Sequence, residues 1–301
     1  MKLPHYIIGL LALCLQTSCD KGNSTIVGQT EPKEGIEAEL VSHLIQYVNA
    51  PTLVLPQGTT VGIYAAPYEQ AAEAATAACS NIRCVSGLSG ELDAAGELKL
   101  QEGKDYSFYA YAPYKDETQD NPQAIPFMHN EDVLLCTGSP SLLKVGFDNR
   151  NVSLNFIHRT SQIRFIVKVK EDANVENLQP TSVLRVSGFL PEAQLNLNTG
   201  ELTPTGKPSE QTDVQAVAAP NEKGIYELAS DPVCFFATPD SPQTIHLRVN
   251  HAGDTHTGDI TTIFVPGESL LYTIWIDSKP QLEVSAFITD WVNQYESIKI
   301  N

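Results

Sequence analysis

Residues 151–169 decide the fold, and they read NVSLNFIHRTSQIRFIVKV. Apolar residues recur there at every second position, as in Val152, Leu154 and Phe156 and again from Ile163 to Val169. Successive side chains of a β-strand point to opposite faces, so this alternation is typical of half-buried strands. The segment therefore predicts two consecutive strands, each with one apolar and one polar face.

The same alternation recurs on both sides of this segment. Further alternating runs are Val61–Ile63, Ile245–Val249, Leu271–Trp275 and Leu282–Ile288. Turn-forming residues such as Asn198-Thr199-Gly200 separate the runs, and only 68–80, rich in alanine, competes as a short helix or an insertion loop. Strands with short connections favour antiparallel sheets. The predicted fold is all-β, with two tandem antiparallel β-sandwich domains of the immunoglobulin or transthyretin type.

The length of 301 residues is enough for about two domains. The least hydrophobic stretch between strand-like runs is Glu171–Pro180, which reads EDANVENLQP. Because domain boundaries fall in polar, Pro-containing linkers, we place the boundary there. The predicted domains are 36–170 and 171–301.

The amino terminus has the layout of a bacterial secretory signal. Residues 1–19 read MKLPHYIIGLLALCLQTSC, with a cation at Lys2, a short apolar run and small polar residues before Cys19. The apolar run is about half the ~20 residues that a spanning helix needs. The ending Gln16-Thr17-Ser18-Cys19 resembles the lipobox of bacterial lipoproteins, which implies a signal peptide at 1–18 and lipid attachment (diacylglycerol and palmitate) at Cys19. The polar residues that follow predict a flexible tether at 19–35. Ordinary secretion without lipid is the alternative.

Charge excludes one class of partner. The chain holds 36 acidic residues against 19 Lys and Arg, a formal net charge of −17. Such an excess repels phosphate backbones, so we expect no nucleic-acid partner.

Cysteines allow a disulfide and argue against a metal. Of the six cysteines, Cys79 and Cys84 are close enough in sequence to form a local bridge, with free thiols as the alternative. A zinc site would need a second closely spaced pair, which the sequence lacks. His246, His251 and His256 recur at intervals of five without a Cys or carboxylate at ligand spacing, so we predict no metal site and no cofactor.

Motifs for catalysis are missing from the chain. The sequence contains no G-x-S-x-G, G-x-x-x-x-G-K-[ST], G-x-G-x-x-G or H-E-x-x-H pattern. His158 continues the alternation onto the Phe156 face, which favours a hydrogen-bonded core or rim residue over a general base. The aromatic run 106–114, YSFYAYAPY, is typical of a sandwich core more than of a sugar-stacking surface. We therefore predict no catalytic residues and no enzymatic activity.

Several patches together resemble the fimbrillin-like family, the lipoprotein-derived pilus subunits of anaerobic Gram-negative bacteria. The patches are Val61–Tyr64, Tyr106–Pro113, Leu154–Arg159, Leu195–Leu202, Pro266–Trp275 and Ile288–Trp291. The resemblance covers about residues 36 to 301. It implies two β-sandwich domains displayed at the outer membrane, and subunits that assemble when one chain's strand fills a groove in another.

The resemblance also implies which strands take part in assembly. The candidate exchanged first strand contains Leu40, Val41, Leu44, Ile45 and Val48, and the candidate donor strand contains Leu282, Val284, Ala286 and Ile288. Shaft subunits of the family lose the first strand to an arginine-specific protease.

This chain departs from the family pattern, because it has no arginine between Cys19 and Arg83. The absence favours an anchor, accessory or tip subunit over a shaft subunit. The expected location is the outer membrane surface and its fimbria. The expected partners are other fimbrial subunits, the membrane through a lipid anchor, and a host or bacterial receptor or glycan. Two alternatives stay open: a surface glycan-binding lipoprotein that uses Trp275 or Trp291, and a hydrolase with an unrecognised site.

Overall fold

The structure of the chain is a computed structural model. It describes residues 35–45, 53–72, 77–116, 121–136, 141–142, 144–146, 148–171 and 175–291. The predicted signal peptide, Cys19 and all of the tether except Gly35 lie outside the described residues. Among the residues that are described, no helix could span a membrane.

Every regular element of the described chain is a β-strand, which confirms the all-β class. The first strands are β1 (Ile36–Glu37), β2 (Glu39–Leu44), β3 (Thr60–Pro67), β4 (Cys79–Ser86), β5 (Leu92–Ala94), β6 (Lys99–Leu100), β7 (Tyr106–Ala112), β8 (Ile125–Met128), β9 (Leu134–Cys136), β10 (Ser141–Leu142) and β11 (Asn151–His158). The remaining strands are β12 (Ser161–Val169), β13 (Val183–Ser187), β14 (Glu192–Asn196), β15 (Glu201–Thr205), β16 (Val214–Val217), β17 (Ala219–Pro220), β18 (Tyr226–Ala229), β19 (Val233–Phe235), β20 (Gln243–His251), β21 (Asp254–Thr262), β22 (Ser269–Ile276) and β23 (Glu283–Thr289).

The N-terminal half forms one large sheet that curves almost closed. Its strand order is β2-β11-β9-β7-β3-β4-β5, with β10 also paired to β7. The last strand in this order returns to the first, because Val41 bridges Glu91 and the Ser42 amide donates to the Gly90 carbonyl at 2.7 Å. Its interior holds aromatic residues of the run that sequence analysis assigned to the core, including the fully buried Phe108.

The C-terminal half is a sandwich of two sheets. One sheet has the order β17-β18-β12-β22-β23, with β19 also on β12, and the other has the order β16-β13-β20-β21. Their facing side chains form a second core, which includes Phe165, Phe235 and Ile274. Most pairs are antiparallel, but β2 with β11 and β12 with β22 are parallel, which the sequence analysis did not anticipate.

Strand β12 lies in a different half from the one expected. Among the described strands it pairs with β18, β19 and β22 alone, whereas the sequence boundary at Glu171–Pro180 placed it in the first domain. The chain changes sheet at Arg159 and Thr160, between β11 and β12, because β11 ends against the first core and β12 begins against the second. The polar stretch after β12 is therefore a loop within the C-terminal half.

A third core joins the two halves. Strand β14 pairs with β15 on one side and with β8 of the N-terminal half on the other. Phe127 of β8 and Leu195 of β14 are buried in the same cluster as Tyr111 and Phe236. The two halves thus share buried apolar side chains, and the division into two domains stays a prediction.

Candidate assembly site

The C-terminal strand β23 has one paired edge and one open edge. It pairs with β22 in a continuous register from Ser269 opposite Thr289 to Trp275 opposite Glu283. No other strand of the described chain pairs with β23. Its second edge therefore presents backbone N–H and C=O groups that no neighbouring strand of the described chain uses, which is the arrangement that can pair with another chain.

Apolar side chains become more exposed along β23. The predicted donor residues begin with Leu282, which is buried, and Val284, which is half-buried against the second core. Ala286 follows on the same face but is exposed, and Ile288 is 62% exposed. Phe287, on the opposite face, is 59% exposed. The strand therefore leaves the sandwich with large apolar groups uncovered on both faces.

Phe287 is an exposed apolar residue of the candidate site that the sequence pattern missed. The prediction followed the period-two series from Leu282, which excludes odd positions of this strand. A sequence signal for Phe287 does exist: it is an aromatic residue at a position of the strand where the alternation predicts a polar one.

The end of β23 is held by two contacts. The Ser269 hydroxyl lies 3.2 Å from the Thr289 hydroxyl, within hydrogen-bond distance. Trp291 then stacks on His158, with ring centroids 3.7 Å apart and an interplanar angle of 22°. The indole N–H of Trp291 is buried and has no hydrogen-bond partner within the described part of the chain.

His158 is the buried, hydrogen-bonded group that its position predicted. It is 4% exposed, and its Nδ1 lies 2.8 Å from Asp132 Oδ1. The Thr160 hydroxyl donates to the same carboxylate oxygen at 3.3 Å. The Nε2 atom of His158 is buried and has no hydrogen-bond partner among the described residues.

The candidate first strand coincides with β2. Leu40 and Leu44 are buried in the first core, Val41 is half-buried, and Ile45 follows the strand and is 43% exposed. Val48 lies outside the described residues. Strand β2 pairs in parallel with β11 from Glu39 opposite Asn151 to Leu44 opposite Phe156. Removing β2 would therefore uncover the apolar side chains beneath it and one edge of β11.

The proposed bridge between Cys79 and Cys84 is wrong. All four described cysteines are buried free thiols, and Cys79 and Cys84 lie on the same strand. Cys79 pairs opposite Ala65 and Cys84 opposite Val61, so about four residues of extended chain, or ~13 Å, separate them. A disulfide needs Cα atoms within about 7 Å. Burial raises the pKa of each thiol to about 12, which keeps both protonated.

The three histidines of the β20–β21 hairpin do not converge. His246 is exposed and its Nδ1 lies 2.8 Å from Asp259 Oδ1. His251 is buried and bonds Ser182 and the Glu176 carbonyl, whereas His256 bonds the Lys279 carbonyl. Across the described residues, no group of three or more His, Cys, Asp or Glu side chains could hold a metal ion.

The two tryptophans differ from the open platforms that glycan stacking would use. Trp291 is covered on one face by His158. Trp275 is half-buried at the side of a groove of about 1080 Å³, and the Lys168 ammonium lies 5.6 Å from its ring centroid. The glycan-binding alternative therefore stays a prediction, since each ring is half-buried and has one neighbouring side chain at its face.

Comparison with known families identifies the family of this chain. A family model described as fimbrillin-like matches residues 50–291, from just before β3 to Trp291. The chain belongs to the fimbrillin-like family. Membership confirms the resemblance seen in the sequence and associates the chain with cell-surface fimbriae and with other fimbrial subunits. Among curated proteins, no sequence matches the chain.

Solved structures share the fold over nearly the whole of their length. A candidate cell adhesion protein from Bacteroides ovatus has a TM-score of 0.64 at 16% identity, with 86% of this chain and 99% of that chain covered. A second candidate cell adhesion protein, from Bacteroides uniformis, has a TM-score of 0.58 at 18% identity, with coverage of 85% and 98%. The fimbrial anchor protein Mfa2 from Porphyromonas gingivalis is more distant, with a TM-score of 0.44, 11% identity and coverage of 85% and 97%. At these identities the likeness to the two Bacteroides proteins shows the fold alone.

Proposed function

We propose that this fimbrillin-like chain is a structural or adhesive subunit of a fimbria and that it joins a neighbouring subunit by β-strand donation. The observation that carries the proposal is the open edge of β23 with its exposed Phe287 and Ile288. Main-chain hydrogen bonds along such an edge supply affinity, and burial of the apolar side chains adds to it. Strand β23 therefore has both the backbone and the side chains that strand exchange needs.

An anchor, accessory or tip position fits this chain better than a shaft position. An arginine-specific protease has no site between Cys19 and Arg83, so β2 stays in the first sheet. With β2 in place, Leu40 and Leu44 fill the groove that a donated strand would occupy in a shaft subunit. A lipid on Cys19 would then hold the chain at the outer membrane surface.

The proposed role is not enzymatic. Two Asp–His pairs have the same 2.8 Å separation, and in the buried one, Asp132–His158, Trp291 covers one face of the imidazole and Nε2 is buried. A general base needs its nitrogen within hydrogen-bond reach of a substrate. In this chain the pair instead supports the end of β23.

A double substitution tests strand donation. Phe287→Asp with Ile288→Asp puts two charges on the exposed end of β23, and each side chain contributes about 1.5–3 kcal/mol when it becomes buried. We expect the fraction of the chain that co-purifies with sheared fimbriae to fall by about tenfold or more. The matched control is Val217→Asp with Ile225→Asp, two apolar residues that are 50% and 60% exposed away from β23. Equal incorporation of the two double variants would show that β23 is not the assembly edge.

The mature amino terminus tests the subunit position separately. We expect intact mass and terminal sequencing of the protein from cell envelopes to give a lipid-modified Cys19. A mature chain that begins after β2 would overturn the anchor, accessory or tip position. It would leave the test of β23 unaffected, because that strand lies at the other end of the chain.

A further inference from the structure

Two arginines lie side by side on the outer face of the sheet β16-β13-β20-β21. The register places Arg185 of β13 directly opposite Arg248 of β20, with Gln215 and Thr257 on the flanking strands. Strands are about 4.8 Å apart, and alternate residues share a face. The two guanidinium groups therefore project from neighbouring positions of one surface, while Val186 and Leu247 between the rows are buried in the core.

This placement is unfavourable without a negative partner. Like charges directly opposite each other in a sheet are destabilising. Within the part of the chain that the structure describes, neither arginine forms an ion pair, and the Arg248 Nε–H donates a long hydrogen bond to the neutral Asn250 Oδ1 at 3.4 Å. Elsewhere the chain pairs such groups, as in Arg150 with Glu39 and Lys115 with Glu131. The chain has almost twice as many acids as bases, 36 against 19, yet none of the described acids forms an ion pair with either arginine.

The arginines border a hollow of about 400 Å³, which we name the twin-arginine recess. Hydroxyl groups of Ser187, Thr212 and Thr257 also line it. Two carboxylates lie in the same hollow: Asp259 is bonded to His246 at 2.8 Å, and Glu210 is exposed on the loop before β16. The recess therefore offers two guanidinium forks and several hydroxyls, beside two carboxylates that do not pair with the arginines.

We propose that the twin-arginine recess binds the carboxylate or sulfate groups of an acidic polysaccharide. Guanidinium groups bind planar oxyanions in a bidentate manner, and the hydroxyls and His246 can bond to sugar hydroxyls. The volume is within the range of small-ligand sites, roughly 300–1,000 Å³, and accommodates one or two sugar rings. The apolar residues described in the lining, Val186 and Leu247, are buried, so they offer no exposed anchor of the kind that peptide interfaces use. A ligand at this site does not depend on strand donation, because β23 lies at the edge of the other sheet.

Titration of the purified full chain with defined oligosaccharides tests the proposal. The probes are oligogalacturonates, which carry carboxylates, heparin-derived oligosaccharides, which carry sulfates, and neutral dextran oligosaccharides. We expect calorimetric binding of at least one acidic probe that weakens with salt, and no comparable binding of dextran. Binding of galacturonate alone would assign the site to uronates, and binding of heparin fragments alone would assign it to sulfated glycans. Failure of both, or equal binding of dextran, would overturn the proposal.

Substitutions then locate the binding to the recess. Arg185→Gln and Arg248→Gln should each weaken binding of the acidic probe by about tenfold or more, because each removes charged hydrogen bonds. Arg185→Lys and Arg248→Lys keep the charge but lose the fork, and we expect a smaller loss. The matched control is Arg83→Gln on β4, which removes an exposed strand arginine from the other half. If Arg83→Gln weakens binding as much as Arg185→Gln, or if neither recess variant changes it, the recess is not the site.

Discussion

Truncating Trp291 should loosen the C-terminal strand without unfolding the rest of the chain. Trp291 is the side chain that fixes the far end of β23, since it stacks on the buried His158 at 3.7 Å. Trp291→Ala removes this contact and leaves the pairing of Thr289 with Ser269 at the strand end. Trp291→Phe is the matched control, because it keeps an aromatic ring but lacks the buried indole N–H.

The size of the effect follows from burial and stacking. A fully buried aromatic residue loses about 3–5 kcal/mol on truncation to alanine, and ring stacking contributes about 0.5–1.5 kcal/mol beyond burial. Trp291 is only half-buried and its N–H has no partner among the described residues, and both facts reduce its net contribution. We therefore expect a loss of about 2 kcal/mol, which corresponds to a roughly 30-fold increase in local opening.

Amide hydrogen exchange measures this opening strand by strand. In Trp291→Ala, amides of β23 that bond to β22 should exchange about 30-fold faster than in the unmodified chain, while amides of β20 should keep their rates. Trp291→Phe should lie much closer to the unmodified chain. The reasoning is refuted if β23 keeps its protection in Trp291→Ala, or if β20 and β23 lose protection equally.

Three further predictions concern the cores and buried titratable groups. Gly62→Ala should lower the free energy of unfolding by about 1–3 kcal/mol, because the new Cβ would lie 2.3 Å from Tyr111 Cε1. In the control Gly96→Ala the new Cβ meets nothing within 4 Å, so this variant should match the unmodified chain in urea unfolding. Burial raises the pKa of Cys79, Cys84 and Cys136 to about 12. Iodoacetamide at pH 8 should therefore label these thiols far more slowly in the native chain than in urea. Equal labelling rates would contradict their burial. Burial lowers the pKa of His129, so the unfolded chain binds the proton more readily and stability should fall as the pH drops below about 6.5. His129→Phe should reduce the loss of unfolding free energy between pH 7.5 and pH 5.5. If the variant keeps the same pH dependence of stability, His129 is not its source.

The sequence predicted strands better than it predicted their partners. The alternation through Val152 and Phe156 and through Ile163 and Val167 correctly marked β11 and β12. Alternation specifies which face of a strand is buried, but it contains no information about which strand lies beside it. For that reason it could not reveal the parallel pairs β2–β11 and β12–β22, or the change of sheet between β11 and β12.

The sequence pattern located strand β23, but it did not predict how exposed the side chains of that strand are. The pattern from Leu282 to Ile288 identified the strand, and it implied that all four alternate residues were buried. Whether an alternating strand is covered depends on the length of the opposite sheet, which local sequence does not encode, and Ile288 extends beyond that cover. The contact of Trp291 with His158 joins distant parts of the chain, so no local pattern could indicate it.

The parallel pairing of β2 with β11 sets how the molecule bears mechanical load. A pull on the chain at Gly35 draws β2 backwards along its own axis, while β11 is retained through its opposite end, which continues into β12. The two strands are then sheared, so the bonds between Glu39–Leu44 and Asn151–Phe156 carry the force together instead of parting one after another. Had the pair been antiparallel, the same pull could have peeled it open bond by bond. A force applied at the amino terminus therefore loads the hydrogen bonds between β2 and β11 simultaneously, and this pair resists separation.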